Sequence, residues 1–137
     1  MKILLAVDGS KTSLDAVRHL VAHADWFREP PQIELVTVHG EISVPRFPGM
    51  GGIGKAQMEK YYEEEGAKRL TEAKRLLDQA KARYETRVLV GPAAETIVKH
   101  AQKSGADLIV VGAPQAIIGS VCTKVMHLSE VPVLLVK

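Results

Sequence analysis

Residues 3 to 7, Ile3-Leu4-Leu5-Ala6-Val7, form an unbroken apolar run. A strand with one wet face alternates apolar and polar side chains. A short run without alternation is what a strand covered on both faces requires, as in a parallel sheet between two helical layers. Asp8-Gly9-Ser10 then breaks the run, and Leu14, Val17, Val21 and Ala24 return at helical spacing, with Ser10 or Thr12 as the N-cap.

The pattern repeats along the chain. Pro30-Pro31 ends the first connection, and Ile33 to Val38, rich in β-branched residues, reads as the second strand. Residues 40 to 55 hold Pro45, Pro48, Gly49, Gly51, Gly52 and Gly54, a composition that resists helix and strand and predicts a mobile surface loop. A long helix follows to about Tyr84, with Tyr62, Leu70, Ala73, Leu77, Ala80 and Tyr84 on its apolar side and Glu63, Lys68, Arg69, Lys74 and Arg75 toward water. Thr86 to Val90 reads as a third strand, Ala94 to Ser104 as a helix stopped by Gly105, and Asp107 to Val111 as a fourth strand. A short helix carrying Val121, Val125 and Leu128 leads into a fifth strand, Val131 to Val136. Strands alternating with helices need crossover connections, which are right-handed. The expected fold is therefore α/β, a doubly wound five-stranded parallel sheet.

At 137 residues the chain is long enough to bury one core without staples, so a single domain over residues 1–137 is expected. Cys122 is the lone cysteine, which excludes an internal disulfide and any CxxC site and suits a reducing cytoplasm. The net charge of +2 is spread over interspersed Lys, Arg, Glu and Asp, so no nucleic-acid partner is expected. Asp8 interrupts the first apolar run before it can serve as a signal-peptide core, and no stretch approaches the ~18 apolar residues of a membrane span. A soluble, cytoplasmic protein without a membrane partner is the expectation.

A doubly wound sheet binds its ligand outside the carboxyl ends of the strands, where strand order reverses. Asp8-Gly9-Ser10, Val38 and the Gly112–Ser120 segment should meet there. Each has an ordinary reading as well, a cap, a core residue or a turn. Together they suit a nucleotide: a carboxylate at a strand end accepts hydrogen bonds from a ribose or helps hold Mg²⁺, and N–H groups at a helix start attract phosphate.

The chain resembles the universal stress proteins over essentially its whole length. The resemblance is carried by the opening Ile-Leu-Leu-Ala-Val-Asp-Gly-Ser, Gly91-Pro92-Ala93, Asp107-Leu-Ile-Val-Val-Gly112, Gly119-Ser120-Val121 and the closing Val131-Pro132-Val133-Leu-Leu-Val136. It implies a Rossmann-like sheet similar to that of adenine-nucleotide hydrolases, with strand order 3-2-1-4-5, and an ATP or AMP site, with Mg²⁺. In that site Asp8 and Val38 would lie near ribose and adenine, and Gly112, Gly119, Ser120 and Val121 near ribose and phosphates. It also implies a homodimer joined through the last strand, which lies at the sheet edge and is apolar throughout; coverage of that edge by the chain's own flap is the alternative. The sequence departs from the family's glycine loop, which reads Gly, two residues, Gly, nine residues, Gly, then Ser or Thr. Here Gly112 and Gly119 are 7 apart with no glycine between, leaving the loop roughly six residues short for a phosphate turn. Two readings of the short loop stay open: a branch that has given up ATP, or a sequence that lacks a segment.

Other signals are weaker. Gly49 to Lys55 imitates phosphate-binding glycine patterns, but Ala56 stands where a P-loop needs Ser or Thr, and no strand runs directly into it. His19 and His23 are four apart with no third ligand nearby, so they read as solvated, and no metal site is expected. Cys122, one turn into the last helix, reads as a buried small residue, and Trp26 as a cover for the end of the first helix. The acidic cluster and lysine of a receiver domain are absent. No nucleophile with an adjacent base and no carboxylate pair stands at the strand ends, so an enzyme is the weakest reading. A nucleotide-responsive regulator leads, with a nucleotide-free dimeric interaction module as the alternative.

Overall fold

The structure is a computed structural model that describes residues 1–40, 54–114 and 118–137. Its elements follow one another as β1 (Lys2–Ala6), α1 (Lys11–Ala22), a 3-10 turn (Ala24–Trp26), β2 (Gln32–His39), α2 (Lys55–Gln79), β3 (Tyr84–Val90), α3 (Ala93–Ser104), β4 (Leu108–Gly112), α4 (Ser120–Leu128) and β5 (Val133–Val136). All neighbouring strands are parallel and the order is β3-β2-β1-β4-β5, as the resemblance implied. Of the glycine-rich segment 40–55 read as a mobile surface loop, residues 41–53 lie outside the described residues, while Gly54 is the N-cap of α2 and Lys55 its first residue.

The unbroken run in β1 has a direct physical cause. Ile3, Leu5 and Val7 point toward α1 and α2, where they join Val17, Leu20, Leu35, Leu70 and Leu77. Leu4 points the other way, toward α3 and α4, with Val36, Ile97, Ile109, Val111 and Val125. Both faces are dry, so both parities must be apolar, and each fully buried aliphatic side chain adds about 1.5–3 kcal/mol. Register ties the layers together: Ile3 lies opposite Ile33 on one side and Leu108 on the other.

Several expected boundaries move. Ser10 is the N-cap of α1, its hydroxyl accepting from the Ser13 N–H at 3.3 Å, and α1 ends at Ala22. The long helix ends at Gln79, short of the expected Tyr84. Lys81 takes a left-handed φ of 55°, the Ala82 N–H turns back to the Leu77 carbonyl, and Tyr84 opens β3. The last strand begins at Val133, because Ser129 closes a turn with Val131 first, its hydroxyl donating to the Val131 carbonyl and accepting from the Val131 N–H. Gly105, at φ 72°, stops α3 as expected.

Candidate functional site

Strand order reverses between β1 and β4, and a crevice of about 150 Å³ opens at their carboxyl ends. Its floor is Ala6, Val36, Val111 and Ile97; its rim holds Asp8, Ser10, Thr12 and Val38. Gly112 makes the crevice possible. A Cβ there would lie 2.1 Å from the Thr12 carbonyl oxygen, so only a glycine lets the end of β4 meet the start of α1. The crevice therefore sits where two backbones touch.

Asp8 is exposed at the rim and fixed by its own loop. Its Oδ1 accepts the Ser10 N–H at 2.9 Å, and its N–H donates to Ser13 Oγ at 3.3 Å. Gly9, at φ 85°, allows the tight turn between them. Burial pushes the Asp8 carboxyl up, but the hydrogen bonds from Ser10 and Ser13 outweigh it and leave the group below its ordinary value, hence ionised at neutral pH. Across the crevice, the Cys122 Sγ–H donates to the Gly112 carbonyl at 3.2 Å. Burial, and then the charge of Asp8, push this thiol up. It is a small buried residue rather than a reactive thiolate, as its sequence context suggested.

Of the six residues picked out from sequence, Asp8, Val38, Gly112 and Val121 line the crevice. Gly119 and Ser120 do not. Ser120 borders a separate groove between α3 and α4, beside Glu95 and Lys124, which pair at 2.8 Å. Among the described residues nothing comes within 4 Å of a Cβ built on Gly119, whereas one on Gly112 meets the Thr12 backbone, so the close approach seen is at Gly112. Thr12 and Ser13 also line it; the sequence signal is their place one turn after a strand-end carboxylate, where Thr12 reads only as a candidate helix cap and Ser13 is not singled out.

Other features lie away from the crevice. A larger cavity, about 620 Å³, lies at the opposite end of the strands, between Phe27, Pro31 and Ile33 and the turn Ala80–Ala82; the strand-order argument does not point there. His19 and His23 are not simply solvated: their rings lie 4.1 Å apart and Trp26 packs 4.4 Å from His23 while remaining 56% exposed. Among the described residues, no group of three or more His, Cys, Asp or Glu could hold a metal ion, and no helix is long and apolar enough to cross a membrane.

The model of the universal stress protein family matches residues 1–137. The chain belongs to the universal stress protein family. It is 35% identical to the stress response protein NhaX of Bacillus subtilis, covering 98% of this chain and 88% of that one. It is 33% identical to universal stress protein YxiE of the same organism, covering 99% of this chain and 98% of that one. A solved universal stress protein in complex with cAMP superposes with a TM-score of 0.70 at 26% identity, over 100% of this chain and 96% of the other.

Proposed function

We propose that this chain is a regulatory universal stress protein, one domain over residues 1–137, that takes an adenine nucleotide, AMP or ATP, at the carboxyl ends of β1, β2 and β4 and pairs with a second copy through β5. The observation that carries the reading is the ionised Asp8 at the rim of an apolar crevice at the strand-order reversal. The apolar floor suits a base, and the free carboxylate oxygen suits ribose hydroxyls. That a related universal stress protein was solved with cAMP supports the same chemistry. Mg²⁺ fits this rim only as a companion of phosphates: Asp8 is a single carboxylate, with the hydroxyls of Ser10 and Thr12 beside it 3.1 Å apart, and phosphate oxygens would complete the shell. Regulation is favoured over catalysis because the rim hydroxyls bond to one another and to the loop backbone, and the carboxylate beside them, Asp8, is held below its ordinary value by the same loop, which makes it a poor general base.

Calorimetric titration of the purified chain with AMP and with GMP tests the site. AMP should bind more tightly, and Asp8→Ala should weaken it at least about tenfold, the effect of losing a hydrogen bond to a charged group worth about 1.5–3 kcal/mol. Ser120→Ala, outside the crevice, should have a smaller effect. Equal losses in both variants would put the phosphates at the start of α4; unchanged affinity in Asp8→Ala would place the ligand elsewhere. The short Gly112–Gly119 segment favours a second reading, the nucleotide-free dimeric module. That reading is left standing if no adenine compound gives a heat signal while the dimer persists.

A further inference from the structure

We infer that the cavity of about 620 Å³ at the amino ends of the strands binds a small monocarboxylate with an aliphatic tail, an acid of medium chain length. The site is separate from the crevice at the carboxyl ends and stands whether or not that crevice takes a nucleotide.

The cavity has the size of a small-molecule site, for which roughly 300–1,000 Å³ is usual. Leu20 and Ile33, at its base, belong to the buried core, while Val21, Phe27 and Ala82 pack on that core and stay half buried. An aliphatic tail laid on them would take apolar surface out of water. The backbone offers little to a polar ligand here. The N–H groups of Phe27, Ile33, Lys81 and Ala82 are taken by backbone carbonyls, and Pro30 and Pro31 have none. Recognition of the ligand's head therefore falls to the charged side chains.

Three charged residues line the cavity: Lys81 and Arg83 from the turn between α2 and β3, and Glu29 from the opposite wall. Their sum is one positive charge, which suits a ligand carrying one negative charge. Arg28 and Asp25, exposed and next in the chain to lining residues, offset each other. On the same stretch of chain Arg75 pairs with Glu72, and Arg87 with Glu34 and Glu85, but among the described residues neither Lys81 nor Arg83 has a carboxylate partner. Both keep their donors for a ligand, and the Arg83 fork matches a carboxylate. The backbone adds an independent sign. Lys81 holds a left-handed φ of 55°, where glycine is favoured, and it is the one non-glycine residue to do so among the described residues. Strain of this kind gathers at ligand clamps, and here it sets a lysine on the cavity wall.

The test is titration of the full chain with octanoate, octylamine and acetate, followed by amide NMR shifts. Octanoate should give saturable shifts at Phe27, Ile33 and Ala82, and bind at least about tenfold more tightly than octylamine, which has the tail with the wrong charge, and than acetate, which has the head without the tail. Lys81→Gly relaxes the backbone and Arg83→Gln leaves the Arg83 carbonyl that receives the Ile33 N–H, so both variants should fold. Each should weaken octanoate at least about threefold, and Glu29→Gln should tighten it about twofold. Octylamine or acetate binding as tightly as octanoate, octanoate shifts that do not saturate or that fall around Asp8 instead, unchanged affinity in either cation variant, or no gain in Glu29→Gln would overturn the inference. None of these outcomes bears on the nucleotide reading, which is tested at the other end of the sheet.

Discussion

Glu34 lies inside an apolar strand, 4% exposed, on the face that packs against α3. Its carboxylate is held by His100 on α3, by the Lys2 Nζ at 3.3 Å, and more distantly by Arg87 at 4.0 Å. Burial alone raises its carboxyl, but the hydrogen bond and charge of His100, then those of Lys2, bring it below the ordinary 4.5. A carboxylate depressed in the folded state adds stability that is present above its unfolded value and is lost as pH falls through the folded one. Glu34→Gln should therefore lower the urea unfolding free energy by about 1–3 kcal/mol at pH 7, and the gap to wild type should close as pH falls below 4.5. A gap unchanged down to pH 3 would show that Glu34 carries no proton-linked stability. Sequence reading passed over this cluster for a physical reason. Its members are far apart in the chain, and a glutamate among Ile33, Leu35 and Val36 reads as strand by its neighbours alone. Asp8 is legible because it ends the first apolar run, where the strand-order argument already points, and its loop partners Ser10 and Ser13 are local.

At the scale of elements, the apolar rhythm located every strand and helix but not every end. The period of α2 continues in sequence through Ala80 to Tyr84, and the usual stop signal, a glycine just past the helix, is missing. Lys81 occupies that left-handed position. Tyr84 does touch the helix, though from β3, donating its hydroxyl to Asp78 Oδ1 at 2.6 Å; burial, then Asp78, push that hydroxyl up to about 12. Lys81→Gly should relieve the strained φ and stabilise the protein by about 0.5–1 kcal/mol, read as a higher urea midpoint at unchanged slope. A lower midpoint would mean that the Lys81 side chain contributes more than its backbone strain costs. Gly112→Ala should have the opposite sign. Its methyl would meet the Thr12 backbone, not a flexible side-chain tip, so α1 must shift, at about 1–3 kcal/mol or more. Because that contact also shapes the crevice, adenosine affinity should fall in the same variant. Loss of stability with unaltered affinity would separate the two roles.

For the whole molecule, β3 and β5 are the outer strands of the sheet among the described residues, and the two edges differ. At one edge, β3 presents exposed Glu85, Thr86 and Arg87, charged and polar side chains that discourage another strand from pairing there. At the other, β5 is Val133-Leu134-Leu135-Val136, with no charge within it and its first three residues only half buried. Leu134 leans on the α1/α2 core, while Val133 and Leu135 lean toward α3 and α4, where Met126 (39%) and Leu128 (43%) are also exposed. An apolar edge strand beside exposed apolar helix residues leaves unpaired N–H and C=O groups next to surface that water disfavours. Antiparallel pairing with β5 of a second copy about a two-fold axis would satisfy the first and cover the second. Light scattering at micromolar concentration should give about twice the chain mass. Leu135→Lys should shift it toward the monomer. Leu134→Lys should do so with a larger loss of stability, because that side chain also fills the core. Thr86→Lys, on the opposite edge, is the control and should leave the mass unchanged. A monomeric wild type, or a dimer indifferent to both leucine changes, would place the contact away from β5.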